Sequence, residues 1–388
     1  LHLSCEPKFF TEKNCLKELG EILKKLELIH QRGEKAALAT IVKTKGSTYR
    51  RPGARMLMTP DGEMTGSISG GCLEGDVFEH AKKVMNSGEP IVLSYDTSSD
   101  DDVVWGLGLG CNGVVHVLVE SVQQSPDQLS FLSNCIKPQN CGVLATVFRV
   151  EGNSGVKPAE KLSVAENGNT SGMNENPQLR SAIVPDALKA MQNGRSMNKE
   201  YELPGGKAEV FIEVVQSPMP LIIFGAGHDA IPVVRLAKEL GWNISVVDGR
   251  PAFATKERFP QADNVILSKP EDVSKNVSID PRGAAIIMTH NYNHDVVILR
   301  QILPLPLRYL GVLGPKKRTQ KTLDDLRKEG LGQSDEEMNH IYSPVGIDIG
   351  AETPEEIALA IISEIQAVLA GRAGGMLRNR KGPIHESS

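Results

Sequence analysis

The sequence predicts an α/β protein in two bodies: an N-terminal α+β domain followed by a Rossmann-like doubly wound parallel sheet domain. Three observations predict it. The run Leu221-Ile-Ile-Phe224 passes straight into Gly225-Ala-Gly227 and then an amphipathic segment from Ile231 to Leu240, as expected of a buried strand, a tight glycine turn and a helix. The next apolar run, Ile244-Ser-Val-Val-Asp248, ends in a carboxylate 21 residues beyond Gly227, close to where a dinucleotide-binding fold carries an acidic residue. Strand-like and helix-like segments then alternate toward the C-terminus, which makes a parallel sheet. This unit begins only after 220 residues, so what precedes it is a separate body.

Length and composition agree. A chain of 388 residues suggests two domains or three. Hydrophobic content of 40% with 23% charged residues is ordinary for a globular protein. The net charge of -5 argues against nucleic acid as a partner. No apolar run is long enough to span a bilayer, and residues 1–13 lack the basic flank and apolar core of a secretion signal. Six cysteines without a C-x-x-C pair are too sparse for a disulfide scaffold. A reducing cytoplasm is the expected compartment.

In the first body, Lys13 to Gln31 reads as a helix, with Leu16, Leu19, Leu23, Leu26 and Ile29 at three- and four-residue steps. Ala36 to Lys43 reads as a strand. Asp61-Gly62 marks a hairpin between Met56-Leu-Met58 and Met64 to Ser69. A helix to about Met85 follows, then strands at Ile91 to Tyr95 and Val114 to Glu120. Pro126 to Ile136 is a predicted helix and Gly142 to Val150 a strand. Residues from Gly152 to about Gln178 are rich in Gly, Asn, Ser and Glu without periodicity, and read as a mobile insert or long hairpin loop. A short helix near Asp186 to Gln192 and two strands, Lys199 to Leu203 and Ala208 to Val215, close this body, with Ser217-Pro-Met-Pro220 as linker.

In the second body the expected strands are 221–225, 244–248, 264–267, 285–289, 309–313 and 342–347. The expected helices are 228–240, 293–302, 316–328 and 354–370. Thr353-Pro-Glu-Glu356 carries a capping box with proline at the first helical position.

Several stretches carry chemistry. Gly225 and Gly227 let backbone approach a diphosphate, the helix N-terminus offers N–H groups, and Asp248 suits ribose hydroxyls. Cys72 and Cys111 each sit in a glycine-rich turn at a strand boundary, Cys72 near a helix N-terminus. A thiolate there would ligate a soft metal, bind a sulfur-rich cofactor or carry a persulfide. Equally, either cysteine would serve as a buried structural residue. Arg50, Arg51 and Arg55 suit a phosphate. Met288-Thr-His-Asn-Tyr-Asn-His-Asp295 follows the fourth strand of the parallel sheet, where ligands bind. Its His290 and His294 would meet a metal or phosphate, or stand by while Asn293 or Asp295 caps the next helix. No Tyr-x-x-x-Lys pair or nucleophile triad is evident.

These motifs resemble one family. Gly46-Ser-Thr-Tyr-Arg50, Pro52-Gly-Ala-Arg-Met56, Gly66-Ser-Ile-Ser-Gly-Gly-Cys-Leu-Glu-Gly75 and Gly108-Leu-Gly-Cys111 resemble the N-terminal domain of the XdhC/CoxI family. Phe224-Gly-Ala-Gly-His228, Asp248-x-Arg-Pro251, Met288-Thr-His290, Leu313-Gly-Pro-Lys-Lys-Arg318 and Pro344 to Glu356 resemble its Rossmann domain. Asn112 departs from a frequent glycine. The resemblance divides the chain into 1–217, with a flexible insert at about 152–180, and 218–388.

The resemblance implies an accessory protein for a molybdenum hydroxylase such as xanthine dehydrogenase. Such a protein binds the molybdenum cofactor, works with a cysteine desulfurase that installs its terminal sulfur, and delivers it to the apoenzyme. It implies a cofactor chaperone, and a homodimer, rather than xanthine dehydrogenase itself, which needs iron–sulfur cysteines at spacings such as C-x4-C-x2-C that are missing here. The site residues it implies are Arg50, Arg51, Arg55, Gly70, Gly71, Cys72, Gly110 and Cys111 in the first domain, with Cys72 and Cys111 at the metal. In the second they are Gly225, Gly227, His228, Asp248, Arg250 and His290. The alternative is an NAD(P)-dependent oxidoreductase built on the Rossmann domain, with Asp248 favouring NAD.

Overall fold

The computed structural model describes residues 16–96, 113–124, 126–331 and 340–381. The chain divides into two compact units, one running to Ser217 and the other from Pro218 to Gly382.

Unit 1 is built on two antiparallel sheets. The first contains β1 (Ala37–Gly46), β2 (Arg55–Met58), β3 (Met64–Gly66), β4 (Ile91–Asp96) and β5 (Gly113–Ser121), in the order β3-β2-β1-β5-β4. The second contains β6 (Cys141–Gly152), β7 (Lys161–Ala165), β8 (Thr170–Gly172), β9 (Met197–Leu203) and β10 (Gly206–Gln216), in the order β8-β7-β6-β10-β9. Strand alternation assigns each face. Ala37, Ala39 and Ile41 pack under helix α2 (Glu74–Ser87) through Val77, Ala81 and Val84. Leu38, one residue out of step, joins Leu57 and the buried stripe Leu19, Ile22, Leu26 and Ile29 of helix α1 (Leu16–Arg32). Leu144 and Val215 of the second sheet, and Leu132 of helix α3 (Pro126–Cys135), belong to the same cluster. The outer face of the second sheet is covered by helix α4 (Pro177–Asn193) through Leu179, Ile183 and Ala187.

The stretch read as a mobile insert or long hairpin loop carries a hairpin, β7 and β8, that is part of this sheet. β7 pairs with β6 from Lys161 opposite Thr146 to Ala165 opposite Gly142, and its Leu162 and Val164 are fully buried. Strands of five and three residues are too short for a periodic signal, so the hairpin was legible as a loop but its pairing to β6 was not. The helix expected at 186–192 is the end of a longer one, because Pro177 stands at the first turn, where its missing N–H has no partner to lose.

Unit 2 is a six-stranded parallel sheet: β11 (Pro220–Phe224), β12 (Asn243–Asp248), β13 (Asn264–Leu267), β14 (Ala284–Ile287), β15 (Tyr309–Val312) and β16 (Ile341–Tyr342). Their order β13-β12-β11-β14-β15-β16 is the doubly wound order of a dinucleotide fold. Helices lie on both faces: α5 (Ala230–Glu239), α6 (Val273–Asn276), α7 (Tyr292–Ile302), α8 (Lys316–Lys328) and α9 (Pro354–Leu369). Leu221, Ile223, Ile244 and Val246 pack toward α5 and α9. Ile222, Phe224, Ala285 and Ile287 pack toward α7 and α8. Both faces are covered, so the strands read as unbroken apolar runs. The expected capping box opens α9: Thr353 Oγ1 accepts from Glu356 N at 3.3 Å and Glu356 Oε2 accepts from Thr353 N at 2.9 Å. The last strand is shorter than the expected 342–347, since Pro344 has no N–H to give a ladder.

Candidate functional site

The Cys72 loop leaves β3 and enters α2. Its backbone amides turn inward: Gly71 N, Cys72 N and Leu73 N all donate to Ser69 Oγ, at 3.2, 3.1 and 3.1 Å. Ser69 in turn donates its hydroxyl to Glu74, and Glu74 Oε1 also accepts from Ser69 N at 2.8 Å. Burial works to raise the Glu74 carboxyl, but the bonds from Ser69 and Ser67 hold it below the usual carboxylate range. These amides are therefore filled by the chain's own hydroxyl rather than open to a phosphate, and the loop is a fixed pedestal. Gly71, at φ +108° with open space where a side chain would stand, makes the turn. Gly70 and Gly71 are exposed and Cys72 is half-buried. The Tyr49 ring lies beside Gly70, 3.9 Å from where a Cβ would be, and the residue is 69% exposed.

The three predicted arginines diverge. Arg50 is half-buried and pairs with Glu18 of α1, which also accepts from Ser67 N. Arg51 is half-buried in the turn before β2. Arg55 is a correction. It is 5% exposed and points between the sheets, donating to Gly53 O at 2.9 Å and bidentately to Glu213, with Nη1 to Oε1 at 2.8 Å. A guanidinium so held is a core ion pair and does not reach a surface phosphate. Beside it lies a second buried pair, Lys161 with Glu120, and a cavity of about 30 Å³ between the sheets.

Gly110 and Cys111 lie outside the described residues. Of the other cysteines, Cys135 is the buried structural kind: burial first, then Cys141 and Glu213, push its thiol up to about 12. No group of three His, Cys, Asp or Glu side chains suited to a metal occurs among the described residues.

In unit 2 the glycine turn is sterically compelled. Gly225 has φ +116°, and a Cβ there would lie 2.4 Å from Met288 O. A Cβ on Gly227 would lie 2.6 Å from Asp229 Oδ1 and 3.9 Å from the His290 ring. His290, exposed and at φ +57°, meets Asp229 at 2.6 Å, so the loop after β14 does come beside the glycine turn. His228 is exposed at the entry to α5. Asn291 caps α7, accepting from Asn293 N and His294 N, a role the sequence offered to Asn293 or Asp295. Asp295 is instead buried against Thr289 and Arg318, and burial raises its carboxyl against the pull of both partners.

Asp248 is buried at the end of β12. Oδ1 accepts from Arg250 N and Nε, both at 2.9 Å, and Oδ2 accepts from Ala226 N at 2.8 Å and Arg250 Nη2 at 2.7 Å. Burial tends to raise it, but Arg250 and the two backbone donors hold it below the ordinary range. Arg250 stacks on Phe253 at 3.9 Å, and Arg258 lies over the same ring at 4.8 Å. Sequence reasoning missed Tyr49, Ser69, Glu18, Asp229 and Arg258. Only Ser69 and Glu74 are close enough in sequence to have signalled their pairing.

Among known proteins, residues 221–365 match the model of the XdhC Rossmann domain, and residues 29–96 match that of the XdhC and CoxI family. A Bacillus subtilis strain 168 protein, named as a probable xanthine dehydrogenase subunit, is 33% identical over 348 residues, covering 89% of this chain and 97% of that protein. A protein named molybdenum cofactor insertion chaperone PaoD, from Escherichia coli K12, is 25% identical over 339 residues, covering 87% of this chain and 84% of that one. A crystal structure described as a xanthine dehydrogenase from Bacillus halodurans superposes with a TM-score of 0.71 at 31% identity, covering 90% of this chain and 96% of that one.

Proposed function

Because the chain belongs to the XdhC and CoxI family, we propose that it is an accessory protein for a molybdenum hydroxylase such as xanthine dehydrogenase. On this reading it binds the molybdenum cofactor as cargo, supports its sulfuration and inserts it into the apoenzyme. The observation that carries the reading is the half-buried Cys72 on a braced loop with the exposed Tyr49 ring beside it. A thiolate suits a soft metal, and an aromatic face suits a flat heterocycle. The relative named as a molybdenum cofactor insertion chaperone supports the same reading. Its partners are then the apoenzyme and a cysteine desulfurase, it works in the cytoplasm as a homodimer, and the chain is a carrier rather than a xanthine dehydrogenase.

The test is co-production with the cofactor-synthesising machinery. The purified protein is expected to retain a fluorescent pterin and to activate an apo-hydroxylase when mixed with it. Pterin-free protein that does nothing for the apoenzyme would refute the reading.

A second reading, an NAD(P)-dependent oxidoreductase, rests on unit 2 alone, whose strand order and glycine turn are those of a dinucleotide fold. It requires substrate-dependent change at the nicotinamide absorption band.

A further inference from the structure

We propose that the glycine-turn end of the unit 2 sheet selects a nucleotide carrying a phosphomonoester on its ribose over one with a free ribose diol, and that Arg250 makes the selection. The inference concerns a ligand of unit 2 alone and stands apart from the cargo reading of the Cys72 loop.

A diol is recognised by donating to a carboxylate at the end of the second strand. Asp248 holds that position, yet it has nothing left to accept with. A carboxylate offers about four lone-pair sites, and four donors fill them: Ala226 N, Arg250 N, Arg250 Nε and Arg250 Nη2, all between 2.7 and 2.9 Å. A ribose hydroxyl would have to displace a charge-assisted bond to enter. Asp248 is therefore a brace that ties the glycine turn to the end of β12.

Arg250 is what remains on offer. Its side chain is 49% exposed, and Nη1 has no acceptor among the described residues. Bonding to Asp248 and stacking on Phe253 at 3.9 Å fix the plane of the guanidinium, so little freedom is lost on meeting an anion. It also stands close to the turn, since its Nη2 shares Asp248 Oδ2 with Ala226 N.

A second observation points the same way. Arg258 lies on Phe253 as well, and its Nη2 contacts Ala226 O at 3.4 Å. Its Nε is buried without a hydrogen-bond partner. A buried guanidinium N–H left unmade is costly, and here it lies beside the turn that would receive the diphosphate. Two arginines on one aromatic ring thus give this corner a positive lining suited to phosphate oxygens, with no acceptor left on Asp248 for a diol.

The experiment is calorimetric titration of the full-length protein with NADP⁺ and NAD⁺, which differ only in the ribose phosphate. NADP⁺ is expected to bind at least about tenfold more tightly. Arg250→Gln is expected to remove that difference from both sides, weakening NADP⁺ and, by vacating the two acceptor sites that Nε and Nη2 fill on Asp248, strengthening NAD⁺. Arg250→Lys, which keeps the charge but not the planar fork, should recover part of it. Equal or tighter binding of NAD⁺ by the unaltered protein, or failure of both dinucleotides to bind, would overturn the proposal whatever the variants do. Persistence of the preference in a folded Arg250→Gln protein would remove Arg250 from it. Pterin retention is independent of all these outcomes, so this proposal and the cargo reading fail separately.

Discussion

Ser69 and Glu74 form a closed clamp: the serine hydroxyl and amide both donate to the glutamate, while the same hydroxyl oxygen receives the amides of Gly71, Cys72 and Leu73. One side chain thus sets the backbone that carries Cys72, whose half-buried side chain packs against the cluster under α2. Ser69→Ala takes the acceptor from the amides of Gly71 and Cys72, leaves Leu73 N only its bond to Glu74 Oε2, and frees the loop. It is expected to cost about 1–3 kcal/mol and to lower pterin retention, although Cys72 remains. Thermal melting and pterin fluorescence on the same preparation check both parts. Unchanged retention would show that the clamp does not position the thiol.

Arg55 is expected to behave as a core residue. Arg55→Ala leaves Glu213 charged and buried without its partner, a loss of about 3–5 kcal/mol. The double variant Arg55→Met with Glu213→Leu is expected to regain most of it, because the charge to be compensated is gone. Urea unfolding of unit 1 reads this directly. Pterin bound per folded molecule in the double variant should match the unaltered protein, which separates this arginine from a phosphate-binding role.

Gly225 and Gly227 should differ in their tolerance of alanine. At Gly225 the new Cβ meets the Met288 carbonyl and its peptide at φ +116°, so backbone strain alone costs about 1–3 kcal/mol. At Gly227 the obstacle is the Asp229 side chain, which can turn away at the expense of its contact with His290. Gly225→Ala is expected to lower the melting temperature of unit 2 markedly, and Gly227→Ala to lower it less while altering the His290 NMR signals.

Acid should loosen unit 2 through Asp248. Burial favours its neutral form, but Arg250 and two backbone donors outweigh this and hold the carboxyl below its ordinary 3.8. The unfolded chain therefore takes up the proton at higher pH than the folded one. The stabilisation is complete above 3.8 and is lost as the pH falls below it. As the pH falls below 3.8 the melting temperature of the unaltered protein should fall more steeply than that of Asp248→Asn, which is less stable at neutral pH but has no proton to gain. Parallel curves would contradict this.

Much of the fold was legible because its signals are local. The apolar runs of β11, β12 and β14, the glycine turn and the Thr353–Glu356 box each declare themselves within a few residues. The strands β7 and β8 did not, since five and three residues amid polar turns carry too little pattern. The candidate site divides in the same way. Cys72, Gly225 and His290 announce themselves by motif, whereas the fate of a charged side chain depends on partners far along the chain. Nothing near Arg55 foretells Glu213, 158 positions away. Asp248 is the subtler case: its place was legible, but its acceptor capacity is consumed by an arginine two residues on, and only the geometry reveals that.

The most direct test of the central claim is the pterin content of Cys72→Ala protein, co-produced with the cofactor machinery and compared with the unaltered protein. Cys72 is half-buried and takes no part in the clamp through its side chain, so the variant should fold with a melting temperature close to that of the parent. The account predicts loss of most of the bound pterin, together with loss of apo-hydroxylase activation. A folded variant that retains the pterin in full would contradict it.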